Sequence, residues 1–361
     1  MKERLFSLDL LRGLDMFLLK AVGPLVVAAD RVWHFPSGVM CQFRHAWGGF
    51  TLWDIIMPLF IFMCGAAVPL ALPKRLKDGR AGWSYWRHVL SRVALLWVLG
   101  MVMQGNLLSL KPSEMLVFSN TLQSIAVGYA VAALALLLGN ARLRAALPFA
   151  LVAVYALILA FCGDYSQTGN AAWLFEKALA AYVPGISGGL STYYTWFLTS
   201  FMFGAMTLFG MQATEILRSD RDPWTKAARL GGYGAGLLAL GWALVPVVPA
   251  IKHIYTASFT LQAMGWCMLA YAALYVLTDI WKLRRGLGVL ILFGQCALFV
   301  YVTGGVFGGA ILNAAMTLTQ GLRPHFAGTM PFIDMAGGVI LLTVLAWYYR
   351  AARQSIGRKG K

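Results

Sequence analysis

The sequence predicts an all-α, polytopic integral membrane protein of about ten transmembrane helices, and three features predict it. Of the 361 residues, 60% are hydrophobic and only 12% are charged, with a mean hydropathy of +0.69. A soluble chain carries about 45–50% apolar and roughly 25% charged residues. The apolar residues also fall in runs of about 20, the length that crosses the hydrocarbon core of a bilayer. Third, the density of basic residues alternates from one connection to the next. This composition excludes an ordinary soluble enzyme and an intrinsically disordered chain alike.

In chain order the expected spans lie near residues 8–29, 53–73, 87–106, 117–138, 144–162, 192–216, 229–248, 255–279, 286–314 and 332–350. The first carries Asp9, Arg12, Asp15 and Lys20, and no small-residue cleavage site follows it, so no cleavable signal peptide is expected. The ninth is long and Gly-rich. The N-terminus, the even-numbered connections and the C-terminus hold 21 basic residues, against six in the odd-numbered connections. By the positive-inside rule both termini are then cytoplasmic, which requires an even number of spans. The net charge of +16 therefore orients the chain, and no nucleic-acid partner is expected. The outward connections are 30–52, 107–116, 163–191, 249–254 and 315–331, two of them long enough to fold over the membrane surface. Residues 1–361 read as a single transmembrane domain, without a P-loop or a visible internal repeat.

Ionisable and polar side chains at membrane depth are costly, so their placement selects candidate sites. Asp9 and Arg12 are three residues apart on one helix face. They read either as a neutralised pair anchoring the helix or as an arginine poised for an anionic ligand. The stretch from His45 to Asp54 is the richest. It holds an imidazole beside Trp47, a Gly48–Gly49 break and Trp53, then a carboxylate at the mouth of a helix. A histidine exchanges protons near neutral pH, and a nearby aspartate can fix its tautomer. The alternative is an interfacial histidine among belt aromatics, with Asp54 as a helix cap. Asn120 and Gln123 begin the fourth span and Asn106 ends the third; such amides serve either as interhelical glue or as hydrogen-bond donors to a substrate. Lys252, His253 and Ser258 stand at the outer mouth of the eighth span, where a lysine can also simply snorkel to the surface.

Other chemistry finds little footing. The five histidines show no HxxxH or HExxH spacing, so no metal site is expected. The five cysteines show no CxxC and mostly sit in apolar runs as small hydrophobes.

Together these stretches resemble the transmembrane acyltransferase family that includes heparan-α-glucosaminide N-acetyltransferase and its bacterial relatives. SLDLLRGLDMF is similar to that family's S-x-D-x-x-R-G start, and HAWGGFTLWDIIMPLFIFMCG to its His…Trp-x-Gly-x-Thr-x-x-Asp…Pro-x-Phe-x-Phe-x-x-Gly block. NTLQSIAVGY, PAIKHIYTASF and GQCALFVYV resemble its Leu-Gln-Arg-Ile-Ala, Pro-x-x-Lys-x-x-Trp-Thr-x-Ser-Phe and Gly-x-Asn-x-x-x-x-Tyr segments. The five matches run in order from residue 7 to residue 301. Departures are Ser124 for the family's arginine, Cys296 for its asparagine, and nine residues from His45 to Asp54 where the family has ten.

The resemblance implies transfer of the acetyl group of cytoplasmic acetyl-CoA, through the helix bundle, to an amino sugar of glucosamine type or a glycan on the outer face. It implies a multi-pass protein of a bacterial inner (plasma) membrane and is compatible with a homodimer. His45 matches the catalytic histidine, and Asp54 would hold the imidazolium. Asn106, Asn120, Gln123, Lys252 and Ser258 are candidates for contacting substrate or the developing oxyanion. Arg12, Lys74 and Arg75 are candidates for the coenzyme A phosphates. The competing expectation is a transporter of a small sugar or amino sugar, with Asp9, Lys20 and Asp54 in proton coupling.

Overall fold

The computed structural model describes residues 5–76, 79–105, 107, 110–111, 114–183, 186 and 190–359. Among them the regular structure is helical. In chain order the α-helices are α1 Phe6–Phe17, α2 Gly23–Trp33, α3 Ser37–Met40, α4 Ile56–Ala71, α5 Trp83–Gln104, α6 Thr121–Leu136, α7 Ala141–Phe161 and α8 Ala171–Ala180. They continue as α9 Ser200–Leu217, α10 Pro223–Leu244, α11 Ala257–Tyr275, α12 Gly288–Gln295, α13 Ala297–Val306, α14 Gly308–Leu318, α15 Arg323–Phe326 and α16 Met330–Lys359. They form two compact units, one of residues 1–44 and 274–361, the other of residues 45–273.

Five helical stretches among the described residues are long and apolar enough to cross a membrane: Leu52–Ala71, Trp83–Gln104, Ala141–Phe161, Ala257–Ile280 and Gln320–Ile356. A sixth arises if α12 and α13, bent by 82° at their junction, count as one. The expected spans 2, 3, 5, 8 and 10 correspond to these five. The ninth expected span is not one helix. It breaks at Cys296, and again at Phe307, which four glycines (Gly304, Gly305, Gly308 and Gly309) surround. Glycine gives up more backbone entropy in a helix than any other residue, so such a cluster is where helices divide.

In the unit of residues 45–273, α9 lies at the centre and packs against α4, α6, α7 and α10. Every residue from Met202 to Thr214 is buried. A helix shielded on all sides can carry the polar side chains of Thr207, Gln212 and Thr214. Gly65 of α4 and Gly210 of α9 set the crossing: a Cβ at either would overlap the partner helix's backbone, at the Thr207 and Phe62 carbonyls respectively. Small residues that let backbones approach replace the hydrophobic driving force absent between helices in lipid. On the outside, α5 and α7 bury only 17% and 22% of their apolar windows, against 67% for the Leu52–Ala71 stretch. Leu90, Leu95 and Val98 on α5, and Leu143, Val154 and Leu157 on α7, are exposed in a pattern that suits acyl chains.

In the other unit, α1 and α2 run on through a π-helical turn at Leu18–Val22. Leu5 offers no side-chain cap, and the carboxylate of Asp279 supplies it, accepting the amides of Phe6 (3.2 Å) and Ser7 (2.9 Å). An anion on the first amides of a helix satisfies groups that have no intrahelical partner and suits the positive end of the dipole. Lys20 lies 5.1 Å from the centroid of the Tyr301 ring. Helix α16 packs on α2, α12 and α14.

Candidate active site

The structure brings His45, Asp54 and Lys252 together within residues 45–273. Local sequence chemistry sets each in place. Gly49 adopts φ +101°, which glycine tolerates without cost, and its amide donates to the Ala250 carbonyl at 2.9 Å. That bond ties the loop carrying His45 to the loop carrying Lys252. Thr51 and Asp54 form a capping box at the 3-10 turn Leu52–Ile55 that leads into α4. On the other loop, Thr256 Oγ1 accepts the Ile251 amide at 3.0 Å and donates to the Pro249 carbonyl at 2.8 Å. The turn closes when the Tyr255 amide donates to the Lys252 carbonyl at 3.0 Å. Tyr255 pays for this turn with φ +47°, a left-handed conformation that non-glycine residues rarely adopt.

The two oxygens of Asp54 divide two tasks. Oδ2 accepts the Thr51 amide at 2.9 Å, and Oδ1 stands 2.7 Å from His45 Nδ1 and 3.5 Å from Lys252 Nζ. Asp54 is therefore both the helix cap and the partner of the histidine, so the two readings of this residue are not exclusive. A carboxylate only accepts, so Nδ1 carries the proton that faces it, and in the neutral form of the ring Nε2 is the nitrogen that accepts. Lys252 Nζ lies 3.0 Å from Nδ1 and 3.1 Å from Nε2. The Asp54 and Lys252 side chains are 1% and 5% exposed, whereas that of His45 is 30% exposed. The imidazole is thus the open member of an otherwise buried acid–base cluster, and Lys252 does not snorkel.

Burial pushes the Lys252 ammonium down to about 8, against the opposing pull of the Asp54 carboxylate. The adjacent His253 is fully buried, and burial, followed by the Lys252 and His45 charges, pushes it down to about 4. Neither of its ring nitrogens makes a well-formed hydrogen bond, although the Trp47 backbone lies close to it. Its role is that of a neutral ring in an aromatic stack. Trp47 lies parallel to it at 5.3 Å, while Tyr193 and Tyr194 stand against it at 4.3 and 4.7 Å. Trp47 Nε1 donates to the Tyr165 carbonyl at 3.0 Å, and the Thr195 amide donates to the His253 carbonyl at 3.4 Å. Loops from four parts of the chain thus meet around His45. Tyr193 and Tyr194 had no signal in the sequence: two adjacent tyrosines at a membrane boundary read as interfacial aromatics.

The remaining candidates are placed elsewhere. Asn120 caps α6 by accepting the Leu122 amide at 2.8 Å. Gln123 is buried, accepts the Ser119 amide at 2.9 Å and donates to the Val117 carbonyl at 2.6 Å. Ser258 is buried with its hydroxyl 3.3 Å from Thr256 Oγ1. These three serve the local backbone and its turns, and none of these hydrogen bonds joins them to the His45 cluster. Asn106 lies outside the described residues. Lys74 and Arg75 are exposed on a 3-10 turn after α4. Arg12 belongs to the other unit, where it pairs with Asp9 at 3.6 Å.

Chemically, the cluster offers an oriented, accessible base, a buried carboxylate to stabilise its protonated form, and a cation that can meet developing negative charge. In comparisons with known proteins, no family model matches the chain and no curated protein matches it.

Proposed function

We propose that the chain is a membrane-bound acyltransferase that passes the acetyl group of acetyl-CoA to the amine of a glucosamine-type sugar or glycan on the outer face. The observation that carries this reading is the 2.7 Å contact between the accessible His45 and the buried Asp54. His45 Nε2 takes the proton of the attacking amine as the C–N bond forms, and Asp54 stabilises the imidazolium. As the C–S bond breaks, the proton passes to the departing thiolate, giving coenzyme A and the N-acetyl sugar. Lys252 donates to the carbonyl oxygen while it carries negative charge. The reading includes ten crossings of a bacterial inner membrane, with shorter and more polar helices such as α6, α9 and α10 crossing inside the bundle and both termini in the cytoplasm. Arg12, Lys74 and Arg75 remain the candidates for the donor's phosphates.

The bend between α12 and α13 supports a second reading, because transporters build substrate sites from interrupted helices. One experiment separates the two. Proteoliposomes receive labelled acetyl-CoA and glucosamine, and acetyl transfer and sugar flux are followed together. Transfer that falls by about 10²–10⁴-fold in H45A is the expected result. Sugar flux without transfer in the unmodified protein rejects the enzyme.

A further inference from the structure

The bend between α12 and α13 opens a cavity of about 450 Å³ within the unit of residues 1–44 and 274–361. Its walls include Asp9 and Arg12 of α1, Gln295 and Cys296 at the bend, and Arg350 and Arg353 of α16. Three guanidiniums thus face it against one carboxylate. Backbone contact explains the convergence. Gly13 and Gly294 lie where α1 and α12 touch; a Cβ on Gly294 would overlap the Asp9 carbonyl, and one on Gly13 the Leu290 carbonyl. This approach carries Asp9 and Arg12 to the bend. Arg350 and Arg353, three residues apart on α16, present one face to it.

Arg12 and Arg350 are each held by a neighbouring side chain. The Asp9 carboxylate stands 3.6 Å from Arg12, and Gln295 Oε1 accepts from Arg350 Nη1 at 3.4 Å. Arg350 and Arg353 line the cavity beside the buried Cys296.

We infer that this cavity binds a phosphate monoester, held by Arg12, Arg350 and Arg353. Planar guanidinium forks suit the several oxygens of a phosphate dianion better than a single carboxylate. Two sources carry that group: the 3′-phosphate of coenzyme A, which rests on the acyltransferase reading, and a phosphatidic acid headgroup, which does not.

Purified protein in detergent is titrated with coenzyme A and with 3′-dephospho-coenzyme A. In nanodiscs, its retention of phosphatidic acid is compared with that of phosphatidylcholine. The expected result is a preference of about tenfold or more for the phosphate-bearing member of one pair. That preference disappears in R350Q/R353Q, weakens in the exposed-site variant R353Q, and survives in part in R350K/R353K. Preference within the first pair identifies the nucleotide and within the second the lipid. No preference in either pair, or one unchanged in R350Q/R353Q, overturns the site. Acetyl transfer is scored separately. Transfer without phosphate preference removes this site alone, whereas phosphate preference without transfer removes the acyltransferase reading and leaves the site standing.

Discussion

His45, Asp54 and Lys252 show how three ionisable groups coexist where water is scarce. The carboxylate offsets the ammonium, the imidazole touches both, and Thr51 fixes the geometry. Because the Lys252 ammonium titrates near 8, transfer should decline above about pH 8 as the oxyanion loses its cation. In K252R, whose guanidinium stays charged, the alkaline limb should move upward by more than one unit. An unchanged limb in the pH–rate profile would separate Lys252 from the chemistry. His253 makes a different prediction. Its folded form resists protonation down to about pH 4, whereas an unfolded histidine takes its proton near 6.5. Between those values the unfolded chain binds more protons, so stability falls as the pH drops, by on the order of 2–3 kcal/mol in total. Thermal melts in detergent should show this acid-side loss, and H253F, which keeps a ring against Trp47, should flatten it. The sequence makes His45 and Asp54 legible because an imidazole and a carboxylate flank the outer mouth of an apolar span. It left the role of His253 open because solvent exclusion by Tyr193 and Tyr194 depends on a loop about 60 residues away.

Glycine contacts set how closely several of the helices cross. At Gly210 a methyl group would meet the Phe62 carbonyl, so G210A should cost about 2–4 kcal/mol, more than overpacking a pliable side chain. Gly231 on α10 faces open space, and G231A should instead be neutral or stabilising by up to about 1 kcal/mol. Melting temperatures of the two variants that shift equally would refute close backbone packing as the cause. The same contacts account for where the expected elements and the observed ones part. Helix α9 is sheltered and need not be strongly apolar, and the ninth expected span divides where glycines surround Phe307 and at Cys296. Hydropathy measures suitability for lipid, and a helix that never meets lipid is under no such constraint.

For the molecule as a whole, the five cysteines provide a test of orientation. Cys41 and Cys162 are exposed, and on the proposed topology Cys41 belongs to an outward connection and Cys162 to the outer end of the fifth span; Cys64, Cys267 and Cys296 are buried. A membrane-impermeant maleimide added outside intact cells should therefore label the first two and spare the others. Labelling that requires permeabilised cells would invert the orientation drawn from the basic residues. Composition and periodicity were sufficient for the membrane class and for the five long apolar helices, since the bilayer imposes length and apolarity on each segment separately. They also marked the ionisable residues worth attention, because lipid penalises each one individually. The long-range pairing among them came from folding alone. Lys252 lies about 200 positions from His45, and Arg350 and Arg353 lie more than 300 from Arg12; no segmental property encodes which of them will meet. Backbone approach at a few glycines and the closing of loops over Asp54 set those distances, and both depend on the whole chain being packed.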